Sequence, residues 1–135
     1  MIKRGLLAIC IVFVCFILCG CDREKPVMLF NNQPINTTTV QAPINVFELG
    51  ETTHYVIFNP KGFDSPYLRL QIIKKNTKVQ NWGYGLYRSQ DIKIDKSKKF
   101  YIDSIKISQS GFYIVTVYYL SDLTRPIVRA TFTVK

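Results

Sequence analysis

From residue 44 to the C-terminus, apolar residues recur with a period of two in short runs separated by turn formers. Leu68, Leu70 and Ile72 alternate with Arg69 and Gln71, the pattern of a strand with one face in a core and the other in water. Tyr113, Val115, Val117 and Tyr119 share one face of a longer run opened by Ser110 and Gly111, and Val128, Ala130, Phe132 and Val134 share one face of the last run. The same reading predicts strands over 44–49, 54–58, 86–88, 92–94 and 100–107, with breaks at Gly50 and at Asn59, Pro60, Lys61 and Gly62. No segment beyond residue 21 repeats its apolar residues at helical spacing. The pattern therefore predicts an all-β chain whose strands have the spacing of a sandwich or barrel.

Upstream of this block the pattern changes. Residues 22–41 are polar and rich in Asn, Thr and Pro, interrupted by Val27, Met28, Leu29 and Phe30. The apolar tetrad reads as a first edge strand or a docking patch, and the rest as a tether. Residues 1–20 differ again: Lys3 and Arg4 precede an apolar stretch over 6–18 that ends in small residues, the layout of an export signal. Gly5 to Gly20 is 16 residues, short of the ~20 that a membrane-spanning helix needs.

The junction Leu18, Cys19, Gly20, Cys21 resembles the lipobox of bacterial lipoproteins, in which an apolar residue and two small residues precede the modified cysteine. The resemblance implies cleavage after Gly20, a diacylglycerol on the Cys21 thiol and an anchor in a membrane of the cell envelope. Two or three acyl chains hold a protein firmly where one does not. Asp22 resembles an inner-membrane retention signal, and because that rule varies between bacteria the outer membrane stays open. The domains expected are a leader over 1–20, a lipidated cysteine and flexible tether over 21–41, and a β domain over 42–135.

The run Ser110, Gly111, Phe112, Tyr113, Ile114, Val115, Thr116, Val117 resembles the penultimate strand of immunoglobulin-like domains, where a Gly precedes a Tyr and alternating valines. Together with Leu49, Gly50 and Glu51 before an early strand, it implies a small Ig-like antiparallel β-sandwich. The chain is also distantly similar to uncharacterised small lipoproteins of Gram-negative bacteria, a likeness that implies no activity.

Composition sharpens this picture in two ways. All four cysteines (Cys10, Cys15, Cys19, Cys21) fall in the first 21 residues, so a mature domain has no disulfide and relies on its apolar core. The formal charge of the 135-residue chain is +9, and removing Lys3 and Arg4 with the leader leaves 16 cations against 9 carboxylates, or +7. That balance suits an acidic protein surface or anionic lipid, and also simply keeps a small domain soluble. A chain that leaves the cytoplasm is not expected to bind nucleic acid.

Candidate chemistry is sparse. His54 is the one histidine and has no acid or thiol at suggestive spacing; no serine sits in a Gly-x-Ser-x-Gly elbow, and no Gly-rich phosphate loop occurs. The sequence therefore predicts no enzyme activity, no metal, no cofactor and no small-molecule substrate. Its most distinctive stretch is 81–88, where Gly83 and Gly85 alternate with Trp82, Tyr84 and Tyr87. Large amphipathic rings of this kind anchor interfaces, although Trp82 also fits the core tryptophan of a sandwich. Lys96, Lys98 and Lys99 form a basic turn, a feature that is also common as a solvated or edge-protecting face. The expected contact surface for an acidic protein partner is Trp82, Tyr84 and Tyr87 flanked by Lys96, Lys98 and Lys99. The function this suggests is protein binding from a lipid anchor, in its most concrete form an immunity-type inhibitor of an envelope-targeted toxin. The alternative is a structural lipoprotein of a secretion or conjugation apparatus.

Overall fold

The computed structural model describes residues 24–76 and 83–135. The expected leader over 1–20, Cys21, Asp22 and Trp82 lie outside the described residues. Strands β1 (Val27–Asn31), β2 (Val46–Phe47), β3 (Thr52–Phe58), β4 (Tyr67–Asn76), β5 (Gly83–Lys93), β6 (Phe100–Lys106), β7 (Gly111–Tyr119) and β8 (Asp122–Val134) follow in chain order, with one turn of 3-10 helix at Thr39–Gln41. They form a three-stranded sheet in the order β1-β3-β6 and a five-stranded sheet in the order β2-β8-β7-β4-β5. All pairings are antiparallel except that β2 runs parallel to β8. This is the Ig-like sandwich that the strand spacing and the Gly111–Tyr113 motif predict.

The core lies between the inward faces. Met28, Phe30, Tyr55, Ile57 and Ile105 come from the small sheet, and Leu68, Leu70, Ile72, Val115 and Val117 from the large one, all buried. Phe132 of β8 joins the two layers, with its ring centroid 5.1 Å from that of Phe30, 5.8 Å from Phe47 and 5.3 Å from Tyr113. Between 24 and 135 there is no cysteine, so apolar packing holds the layers together. The buried Tyr113 hydroxyl donates to the Gln109 carbonyl at 2.6 Å, pinning the corner through which the chain enters β7. Immunoglobulin domains use a tyrosine in the same way, two residues before a cysteine. Here Val115 occupies that place.

Four expectations change in detail. Segments 86–88 and 92–94 belong to one strand, because a register shift between Ile72 and Ile73 of β4 leaves Tyr87 as an extra residue in β5 and reverses the alternation there. The last strand begins at Asp122 and not near Val128. Its exposed first half carries Pro126, opposite Tyr118 where the register breaks, and a proline is tolerated at such an irregularity. The strand expected over 44–49 shrinks to Val46 and Phe47. Finally, of the two readings of residues 27–30 the edge strand holds: Val27–Asn31 pairs along its whole length with β3 at the edge of the small sheet, so folded structure begins within the 21–41 span otherwise expected to be a tether.

Candidate functional site

Three strands of the small sheet carry consecutive apolar residues: 27–30 in β1, 55–58 in β3 and 100–102 in β6. A strand with one wet face should alternate, so such runs put apolar side chains on both faces. The register gathers the outward ones into two rows of three. Val27 lies opposite Phe58, which lies opposite Phe100; Leu29 lies opposite Val56, which lies opposite Ile102. Val56, at the centre of the second row, is only 5% exposed, whereas Val27, Phe58, Phe100 and Ile102 around it are 38–45% exposed. The third row, Asn31, His54 and Ser104, is polar and ends the patch.

The segment after β1 turns this patch into a groove. Asn31 is buried, its side-chain amide donates to the carbonyls of Thr39 (3.2 Å) and Ala42 (3.1 Å), and its Oδ1 accepts from the Gln33 N–H at 3.0 Å. Asn36 closes the loop further, accepting from the N–H groups of Thr38 and Thr39 at 2.8 and 2.9 Å. Ile35 and Val40 are thereby held against the apolar rows, and a cavity of about 420 Å³ lies between loop and sheet, lined also by Val27, Leu29, Phe58 and Phe100. Contiguous exposed apolar surface with a defined concavity marks an interaction site. Sequence reasoning noted the 27–30 tetrad but did not place this groove; the matching apolar runs in three strands were the signal for it.

The basic turn stands at one end of the groove. Asp95 accepts from the Ser97 N–H at 3.0 Å and from its hydroxyl at 2.6 Å, and the Lys98 N–H donates to the Asp95 carbonyl at 3.0 Å. The Ser97 hydrogen bonds hold the Asp95 carboxyl below its usual pKa. The Asn59 N–H donates to the Lys99 carbonyl at 2.8 Å, so the turn is fastened to the end of β3. Lys96, Lys98 and Lys99 are all exposed on it, immediately before Phe100 of the first apolar row.

Tyr84 and Tyr87 lie at the other end of the molecule, on strand β5 and not in a loop. Tyr84 faces Lys75 across the β4–β5 pair and Lys93 faces Tyr67, so Tyr84 and the basic turn are separated by most of an 11-residue strand, roughly 30–35 Å. The structure does not bring these two halves of the expected surface together. Tyr87 is half-buried: its ring meets that of Tyr113 edge-on at 5.2 Å, and its hydroxyl accepts from the Ser108 N–H at 3.1 Å. Hydrogen bonding from the Ser108 side chain and backbone holds its pKa below the usual tyrosine value. Tyr84 is 49% exposed and Leu86 64%, and Leu86 continues an outward row through Ile73 and Ile114. This is a second, smaller apolar patch, edged by Lys75. His54 is half-buried on the outer face of β3. Among the described residues no group of three or more His, Cys, Asp and Glu side chains could hold a metal ion.

No family model matches the chain, and no curated protein sequence matches it. Solved structures do resemble it. An immunoglobulin-like protein of Pseudomonas aeruginosa superposes with a TM-score of 0.53 at 8% identity, covering 81% of this chain and 92% of that one. The soluble domain of PmoD from Methylocystis superposes with a TM-score of 0.51 at 16% identity, covering 84% of this chain and 93% of that one. At such identities the likeness establishes the fold. The chain is an immunoglobulin-like β-sandwich.

Proposed function

We propose that this chain is a lipid-anchored binding module of the bacterial envelope, fastened through Cys21 and acting on an acidic protein partner without catalysis. The observation that carries the binding reading is the pair Leu86 and Tyr84. They stand 64% and 49% exposed on regular strand positions, next to Lys75, at the end of the sandwich opposite the start of β1. Rigid apolar and aromatic anchors supply most of an interface's affinity, while neighbouring lysines chiefly accelerate encounter with an acidic surface. Inhibition of an envelope-directed toxin is the most concrete version of this reading, with a structural role in a secretion or conjugation apparatus as its rival. Fold does not separate the two.

The test places a photo-crosslinking residue at Leu86, at Tyr84 and, as a control, at Ser65 in the full chain expressed in its native cell. A single protein joined from 84 and 86 but not from 65 is the expected result. Its purified complex should lose roughly tenfold or more in affinity on Leu86→Asp, the effect of deleting one interface anchor. Equal labelling from all three positions, or an affinity unmoved by the substitution, overturns the assignment. Cells lacking the gene become sensitive to that partner if it is a toxin, and lose an assembly if it is a structural component.

A further inference from the structure

The groove and the basic turn share one end of the sandwich, and it is the end from which the chain leads back to Cys21. Strand β1 starts there at Val27, paired with Phe58 at the end of β3, which in turn pairs with Phe100 at the start of β6. Glu24, three residues ahead of β1, is ion-paired with Lys61 of the β3–β4 loop at 3.3 Å, an exposed contact that places the lead at this end. From Cys21 to Val27 is six residues, a reach of at most ~20 Å even fully extended. A tether of 20 residues would leave the domain free to turn; a lead this short keeps this end within one lead-length of the membrane surface and raises its effective concentration there.

What that end presents is suited to a bilayer. Phe58, Phe100 and Val27 stand 38–45% exposed at the mouth of the groove, and Lys96, Lys98 and Lys99 sit beside them on a hydrogen-bonded turn, with Arg125 exposed at the start of β8. Cations outnumber carboxylates at this end, with Lys61, Lys96, Lys98, Lys99 and Arg125 against Glu24, Asp64, Asp95 and Asp122. Glu24 pairs with Lys61, Asp95 is turned onto Ser97, and Asp122 accepts from the Thr124 hydroxyl at 2.6 Å; Asp64 is exposed. Apolar side chains ringed by lysines bind at the boundary between headgroups and acyl chains when the lipid is anionic.

Resting on the lipid anchor proposed above, we infer that the Val27–Phe58–Phe100 end of the groove, with the Lys96–Lys99 turn, is a docking surface for the anionic bilayer that holds Cys21. The domain then lies against the membrane by this end, and the Tyr84 and Leu86 patch points away from it. The reading goes beyond partner binding, since it assigns a second surface to a different ligand.

The test uses the full chain, produced in a bacterial envelope, extracted in detergent and reconstituted into vesicles of phosphatidylethanolamine and phosphatidylglycerol. Trp82 is the single tryptophan, so Trp82→Phe gives a background into which Phe100→Trp or Leu86→Trp is placed. Lipids brominated near the top of the acyl chains should quench the tryptophan at 100 by about twofold or more and leave that at 86 nearly unchanged, as expected for insertion ~5–10 Å deep. Lys96→Glu, Lys98→Glu and Lys99→Glu together should abolish the difference while near-ultraviolet circular dichroism stays native. Equal quenching at 86 and 100, or none at either in a chain that floats with the vesicles, overturns the docking and leaves the anchor standing. A chain that does not float overturns the anchor and the docking with it.

Discussion

Replacing Tyr113 with Phe removes one oxygen from the corner that leads into β7 and leaves the aromatic packing in place. The ring remains stacked on Phe132 (5.3 Å, 16°) and under the edge of Tyr87 (5.2 Å, 79°). What is lost is the 2.6 Å hydrogen bond from the hydroxyl to the Gln109 carbonyl. A typical net hydrogen bond contributes ~0.5–1.5 kcal/mol, and an orphaned buried partner adds a desolvation penalty. Gln109 is exposed, so water can take over its carbonyl, and the expected loss is about 1.5 kcal/mol, or roughly 5 °C in Tm for a domain of this size. Urea unfolding followed by near-ultraviolet circular dichroism measures it as a fall in midpoint at unchanged slope. Tyr119→Phe is the control. Its hydroxyl accepts a 2.9 Å bond from the Asp64 N–H at an exposed loop, and its removal should cost under about 0.5 kcal/mol.

The same variant carries a signature in pH that a packing defect would not. Burial, with a smaller contribution from Tyr87, raises the Tyr113 pKa from 10.0 to about 12. Below pH 10 folded and unfolded chains both hold the proton and stability does not depend on this group. Between pH 10 and about 12 the unfolded chain releases it while the folded chain keeps it, so stability falls as pH rises, by ~1.4 kcal/mol per pH unit. Tyr101, raised to about 12 first by burial and then by its hydrogen bond to Asp103, contributes the same sign of slope and survives in the variant. The gap between wild type and Tyr113→Phe should therefore narrow above pH 10 and close by about pH 11. A gap that stays constant from pH 7 to 11, or a loss no larger than that of Tyr119→Phe, would refute the corner assignment.

Two further substitutions test other parts of the frame. Asn31→Ala removes both amide donors and the acceptor that fasten residues 33–42 to β1; it should cost ~2–3 kcal/mol and raise amide hydrogen exchange at Gln33 and Val40 well before that of β7. Thr53→Val deletes a buried hydroxyl, 1% exposed, that has no hydrogen-bond partner; thermal unfolding should show no loss and a gain of up to ~1 kcal/mol.

Legibility in the sequence followed the burial of single faces. Strands β4 and β7 were readable because Leu68, Leu70 and Ile72, and Tyr113, Val115 and Val117, point into the core while their neighbours do not. Strand β5 was not, because it is an edge strand with a bulge at Tyr87, so its apolar residues change parity midway. The groove escaped for the opposite reason. Runs such as Val56, Ile57 and Phe58 carry no periodicity, and only the pairing register shows that three of them stack their outward members in line. Residues 31–41 have the composition of a linker, yet the side chains of Asn31, Asn32 and Asn36 supply bonds that fold them against the sheet. The separation of Tyr84 from Lys96 is also a matter of register, and spacing along the chain does not reveal it.

That separation bears on how a tethered sandwich can divide its work. Because β1 is an edge strand of the small sheet and runs antiparallel to β3, its first residue fixes which end of every other strand lies nearest the point where the chain enters β1. The loops at 59–66, 94–99 and 120–121 fall at that end, and the β2–β3 turn and the far end of the β4–β5 pair fall at the other. With only five residues between Cys21 and Val27, the proposed lipid anchor at Cys21 would put the membrane within reach of the near end and not of the far end. In the proposed arrangement a protein partner approaching from the side away from the membrane would meet Tyr84, Leu86 and Lys75 first, roughly 30 Å beyond the basic turn. In the proposed arrangement, lysines serve two different neighbours according to the end they occupy. Raising salt should weaken both contacts, but Lys75→Glu should impair only partner capture, and charge reversal at Lys96, Lys98 and Lys99 only membrane contact. If either reversal impaired both, the two ends would be acting as one surface, and the division of labour inferred from the direction of β1 would be wrong.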